Sequence, residues 1–204
     1  MPYIITADYL KAIAGKPTPL MPLLAEWMNT TCPGYGIDTP QEYAHFLAQA
    51  CHESARFSTL RELGGNSYFA KYENRADLGN KFPGDGLKFK GRGIFQTTGR
   101  NHYLKLGITK GNRDMFINNP ELLEQPEFAV WSACEFWKDK GFTDIANHPD
   151  TDLLKKKIYL NRQLTAFKLI DVSPVEYISR TINGGINGLP ERKQFYAIAK
   201  KVLV

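Results

Sequence analysis

Glu53 and Glu62 are the carboxylates around which chemistry can be built. Phe46, Ala50, Glu53 and Phe57 fall at i, i+4, i+7 and i+11, so in a helix Glu53 shares a stripe with apolar side chains. A carboxylate on a core-facing stripe is desolvated, which favours its protonated form, the state a general acid needs near neutral pH. The same placement also fits a structural glutamate paired with an arginine. Glu62 comes nine residues later, and at about 100° per residue it would lie on the opposite face of a continuous helix. If the helix instead ends around Ser58 to Leu60, ahead of Gly64-Gly65, the chain can turn and bring Glu62 across a cleft from Glu53. Two carboxylates flanking a glycosidic bond would then act as an acid and as a base for water.

Other chemistries fit less well. His52-Glu53 is followed by Arg56 where a zincin helix needs its second histidine, so no zinc site follows. His45, His52, His102 and His148 are scattered without a ligand pattern, and neither a nucleophile elbow nor a phosphate-binding glycine loop is present. Neither a metal nor a cofactor is expected. Cys51 and His52 point about 100° apart on a helix, which argues against a catalytic pair. Cys32, Cys51 and Cys134 are odd in number and lack metal-ligand spacing, and are expected to be reduced and buried.

The elements that must position these groups are mostly helical. Thr6 can cap a helix through Ala14 that stops at Gly15, and a second short helix is expected over Leu23 to Met28. Thr39-Pro40-Gln41-Glu42 is a capping box with proline at the first helical position, and it should open the long helix carrying Glu53. Seven glycines between 64 and 93 make that stretch a structured loop region with room for a small hairpin. Helical spacing resumes near Thr98 to Leu106, Pro126 to Lys140, Asp150 to Leu160, Pro174 to Ile182 and Pro190 to Leu203. Ser173-Pro174-Val175-Glu176 repeats the capping-box logic, and Lys155-Lys156-Lys157 is expected to be a solvated helix face.

With 204 residues and 43% hydrophobic content, the chain can bury a real core. No stretch approaches the roughly 18 continuous apolar residues of a membrane span. The opening Met1 to Asp8 lacks the basic and apolar regions of a secretory leader. A net charge of +5 suits an anionic polymer partner without identifying one.

Three motifs now line up in order. Ala48-Gln49-Ala50-Cys51-His52-Glu53-Ser54, Lys90-Gly91-Arg92-Gly93-Ile94-Phe95-Gln96-Thr97-Thr98 and Thr181-Ile182-Asn183-Gly184-Gly185 together resemble glycoside hydrolase family 19, over roughly residues 39 to 198. With Arg75 to Asn80 and Pro83 to Gly86, the chain looks like the bacteriophage endolysin branch rather than the plant-type chitinases. The resemblance implies a mainly α, lysozyme-like two-lobed fold, with the loop-rich segment at about 61–95 bordering a central cleft. Residues 1–204 are read as one catalytic domain without a separate wall-binding domain. It implies hydrolysis of a β-1,4 bond with inversion, Glu53 as acid and Glu62 as base, and Glu73, Asp77 and Asp85 as fallback bases. His52, Tyr72, Gln96, Thr98, Asn101, Asn183 and Arg192 are the expected substrate-binding or acid-tuning positions. Tyr68, Phe82 and Phe89 join Tyr72 as aromatics of the loop region, half of them expected to pack it; Phe128, Trp131, Phe136 and Trp137 read mainly as core.

The expected function is that of an endolysin cutting the glycan strand of bacterial peptidoglycan. The alternatives are a chitinase, a lytic transglycosylase, and a non-catalytic saccharide-binding module. The expected partner is the glycan strand, with no nucleic acid and no stable membrane insertion. The chain is expected to be a monomer held in the host bacterial cytoplasm until holin-dependent release to the cell wall.

Overall fold

The computed structural model describes residues 2–160 and 165–204. Thr6 caps α1 (Ala7–Ala14) by accepting from the Tyr9 amide, and Gly15 ends it in the left-handed region, as its type allows. α2 (Met21–Thr31) runs into a 3-10 turn at Cys32–Tyr35, and α3 (Pro40–Glu53) opens on the complete capping box of Thr39 and Glu42. The glycine-rich stretch is a chain of short pieces, including α4 (Asn66–Phe69) and α5 (Asp85–Lys88). It is pinned by bridges from Arg92 to Arg61 and to Thr97 rather than by a regular hairpin. α6 (Arg100–Thr109), α7 (Met115–Asn118), α8 (Pro126–Asp139) and α9 (Phe142–Ala146) follow. After an antiparallel strand pair, β1 (Leu154–Tyr159) and β2 (Phe167–Val172), come α10 (Pro174–Asn183) and α11 (Leu189–Val202).

The fold is mainly α, as the sequence predicts, with two apolar clusters. The larger joins α1, α2, α3, α8, α9, α10 and α11 around Phe46, Trp137 and Phe142. The smaller gathers Phe89, Tyr103, Phe116 and Leu123 against Phe128 and Trp131 of α8. α8 therefore backs both bodies, and the segment from Glu62 to Thr98 crosses between them.

Three local expectations are corrected. The Asp150 to Leu160 stretch is not a helix: Leu154, Lys156 and Ile158 alternate with exposed Lys155, Lys157 and Tyr159, which is strand period. The lysine run therefore lies on a strand. Helix α3 ends at Glu53, earlier than Ser58, because Ala55, Arg56 and Phe57 all adopt positive φ. Phe57 reaches the core through that turn and not through the helical stripe. At Ser173 the capping box is absent; Glu176 pairs with Arg180 and Lys193 instead.

Candidate active site

Glu53 is the last residue of α3, with about a fifth of its side chain exposed. The left-handed turn behind it is held by Arg56 N–H donating to Cys51 O and by Phe57 N–H donating to Ser54 Oγ. Arg192 of α11 is almost completely buried and donates Nη2 to Glu53 Oε1 and Nη1 to Gln49 Oε1 at 2.7 Å. Gln49 Nε2 in turn donates to Ser179 Oγ of α10 at 3.0 Å. A planar guanidinium clamped on two helix-borne acceptors fixes the orientation of the Glu53 carboxyl. Among the described residues only Oε1 of Glu53 is engaged, which leaves Oε2 for another partner.

Glu62 lies on the loop segment that follows this turn. Its amide donates to Gly91 O at 2.8 Å, and its Oε2 accepts from Gly91 N–H at 3.1 Å. Oε1 accepts from the Tyr72 hydroxyl at 2.9 Å and from Lys71 Nζ at 3.3 Å. Burial works to raise the Glu62 pKa, but the Gly91 amide, the two tyrosines Tyr72 and Tyr68, and Lys71 outweigh it and hold the carboxyl below its ordinary value. Glu62 is thus an ionised acceptor, the state required of a base. A Cβ at Gly91 would stand 2.7 Å from Gln96 Oε1 and 3.2 Å from Glu62 Oε2, so an added methyl there would displace both side chains.

The chain's sequence and shape have precedents. No family model matches it. A glycosyl hydrolase family 19 domain-containing protein of Haemophilus influenzae is 27% identical, over 79% of this chain and 80% of its own length. The crystal structure of chitinase C from Streptomyces griseus superposes with a TM-score of 0.63 at 16% identity, over 99% of this chain and 93% of its own. A second bacterial family 19 chitinase gives 0.62 at 18% identity, over 98% and 95%. In sequence and in shape the chain is similar to proteins of glycoside hydrolase family 19.

Against the family 19 motifs, the remaining candidates divide. Gln96 has positive φ, donates Nε2 to Gly93 O at 3.0 Å and stands beside Glu62. Such a strained non-glycine residue at a candidate site costs about 1–3 kcal/mol and is kept only where its surroundings enforce it. Thr98 donates to Gln96 O at 2.9 Å. Gln96 and Thr98 line a cavity of about 580 Å³, with Phe95, His102, Lys105 and Phe136 on its other walls. Neither glutamate lines it; it neighbours Glu62 through Gln96. Phe136 is accordingly a cavity wall as well as a core residue, whereas Trp137 is fully buried.

Asn101 is exposed at the start of α6, where its amide packs under Gly79. Asn183 spends an amide hydrogen on Asn187 O at 2.9 Å, and Gly184 at positive φ caps α10. His52 packs on Gly188 and pairs through Nδ1 with Glu191 Oε2 at 2.7 Å, while Glu191 Oε1 accepts from Arg56 Nη2 at 3.0 Å. These three side chains are engaged in turns and caps. Of the loop aromatics, Tyr72 reaches Glu62 and Phe89 is buried, while Tyr68 and Phe82 are exposed.

The fallback carboxylates are consumed by structure. Asp85 is buried, receives both arms of Arg100 at 2.6 and 2.8 Å, and accepts the Lys81 and Phe82 amides. Asp77 pairs with Arg75, and Glu73 accepts from Gly86 N–H at 3.0 Å. Ser179 and Lys71 are not singled out by the sequence, and Gln49 and Gly91 appear there only as motif residues without a role. Gln49 was findable, lying one helical turn before Glu53 on the same face.

Proposed function

We propose that the chain hydrolyses β-1,4 bonds of the peptidoglycan glycan strand, with Glu53 as general acid and Glu62 as general base. The observation that carries the reading is the contrast between the two carboxyls. Glu53 is clamped through one oxygen by Arg192, and its other oxygen is available to protonate the leaving glycosidic oxygen. Glu62 is kept ionised by its donors and so can accept a proton from water. Attack of that water on the anomeric carbon from the side opposite the leaving group inverts its configuration. Gln96, beside Glu62, offers an amide for an N-acetyl group, and the net charge of +5 suits an anionic wall polymer. In this reading the chain is an endolysin released to the wall during host lysis.

Chitin is the second reading, supported by the solved structures of this fold named as chitinases. The test is mass spectrometry of purified peptidoglycan after digestion and borohydride reduction, with Glu53→Gln as control. Reduced muramic acid ends, absent from the control, are expected. Anhydro ends would replace the reading by transglycosylation, and products from chitin oligomers alone would replace it by chitin hydrolysis.

A further inference from the structure

The β1–β2 pair has no part in the site described above, yet its outer face is unusual. The register places Lys155 opposite Asp171, Lys157 opposite Leu169 and Tyr159 opposite Phe167 on one side. The other side carries Leu154, Lys156 and Ile158 opposite Val172, Ile170 and Lys168, and its root turns toward α10, where Lys156 Nζ donates to Thr181 Oγ1. On the first side Tyr159, Phe167 and Leu169 are each about half exposed or more, and Leu153 and Leu160 stand open at the ends of β1. Five of the fourteen exposed large hydrophobics among the described residues thus fall on this one hairpin, a concentration that calls for something to cover it.

Its charges indicate what that is. Lys155 is neutralised by Asp171 at the root. Lys157 lies on the first side, 3.8 Å from the Phe167 ring centroid and 5.1 Å from that of Tyr159, while Lys168 is exposed on the reverse side opposite Ile158; among the described residues neither makes an ion pair. We propose that the outer half of this hairpin docks on the surface of an anionic phospholipid bilayer. The ribbon enters by its outer end: Tyr159, Phe167 and Leu169 on the first side and Leu160 beyond β1 reach the headgroup boundary, while Lys157 on that side and Lys168 on the reverse side keep their ammonium groups at the phosphates. A sugar strand fits this face less well. Tyr159 and Phe167 meet edge to face at 68°, which offers no flat platform for stacking, and the aliphatic side chains supply no hydrogen bonds. No helix among the described residues is long and apolar enough to cross a membrane, so the contact is one of adsorption.

Co-sedimentation with vesicles of phosphatidylethanolamine and phosphatidylglycerol tests this, with phosphatidylcholine vesicles and lipid-free sacculi as comparisons. The full chain should partition onto the anionic vesicles and not onto phosphatidylcholine. Partitioning should fall at least about tenfold in 0.5 M salt, in Lys157→Glu/Lys168→Glu, and in Phe167→Ser/Leu169→Ser. The lysine variant alters only exposed side chains, so it keeps the test open if the apolar variant misfolds. Absence of partitioning onto anionic vesicles would overturn the proposal, as would partitioning indifferent to salt and to the lysine pair. Loss of sacculus binding in the variants, without any vesicle binding by the wild type, would make the face a glycan surface instead. The readout needs no glycosidase activity, so its failure is separate from failure of the proposed reaction.

Discussion

Three hydrogen-bond donors converge on the carboxyl of Glu62, from Gly91, Tyr72 and Lys71. With its pKa lowered, Glu62 deprotonates below the ordinary glutamate range, so the acidic limb of kcat/KM should fall there. Tyr72→Phe removes one donor and should move that limb to higher pH, while Glu62→Gln should lower kcat by about 10²–10⁴ and lower the melting temperature only slightly, through the lost charge-assisted bonds. A pH–rate profile and a thermal melt on the three proteins check both. Arg192→Ala breaks a buried charged contact and should cost about 3 kcal/mol by urea unfolding, in addition to lost activity. Of these residues, Glu53 was legible because a carboxylate interrupts an apolar stripe, and the buried Arg192 answers the partner such a carboxylate needs. The network through Gln49 and Ser179 was not legible, because three different helices supply it and only tertiary packing brings them together.

At the scale of elements, capped helices were readable and uncapped transitions were not. Thr6, Gly15 and the Thr39 box announce the ends they make. The end of α3 is silent, because three non-glycine residues turn left-handed there without the glycine that usually marks such a stop. At about 1–2 kcal/mol for a left-handed non-glycine residue, that turn stores strain beside the candidate acid, and Ala55→Gly should raise stability by about 1 kcal/mol in a calorimetric melt. Gly91→Ala should do the opposite for function: its Cβ meets Gln96 and Glu62, so activity should fall far more than the melting temperature. The hairpin was misread because a lysine at the half-buried position 156 hides the alternation of Leu154 and Ile158. A two-stranded sheet with one face in water gives a weak pattern.

Across the whole molecule, the titrating groups favour neutral pH over acid. Burial drives His45, whose ring packs at a tilt against Tyr196, from 6.5 down to about 4. The unfolded chain therefore takes up a proton near 6.5 that the folded chain refuses, and stability falls as pH drops from 6.5 toward 4, by about 3 kcal/mol from this group. Glu42, Glu62, Asp85 and Asp150, all lowered, lose their contributions in the same direction at still lower pH. Urea midpoints at pH 7, 5.5 and 4.5 should decline in that order, and His45→Gln should decline less between 7 and 4.5. The mainly α architecture was legible from the order of caps and apolar stripes; the meeting of Glu62, Gln96 and Gly91 was not, since it depends on a loop crossing between two clusters. The most direct test of the two-carboxylate account is proton NMR of the first product formed from a soluble peptidoglycan oligosaccharide. The account predicts the α-anomer appearing first and mutarotating to β. A β-anomer formed first would contradict a water activated by Glu62 and require a covalent or anchimeric route instead.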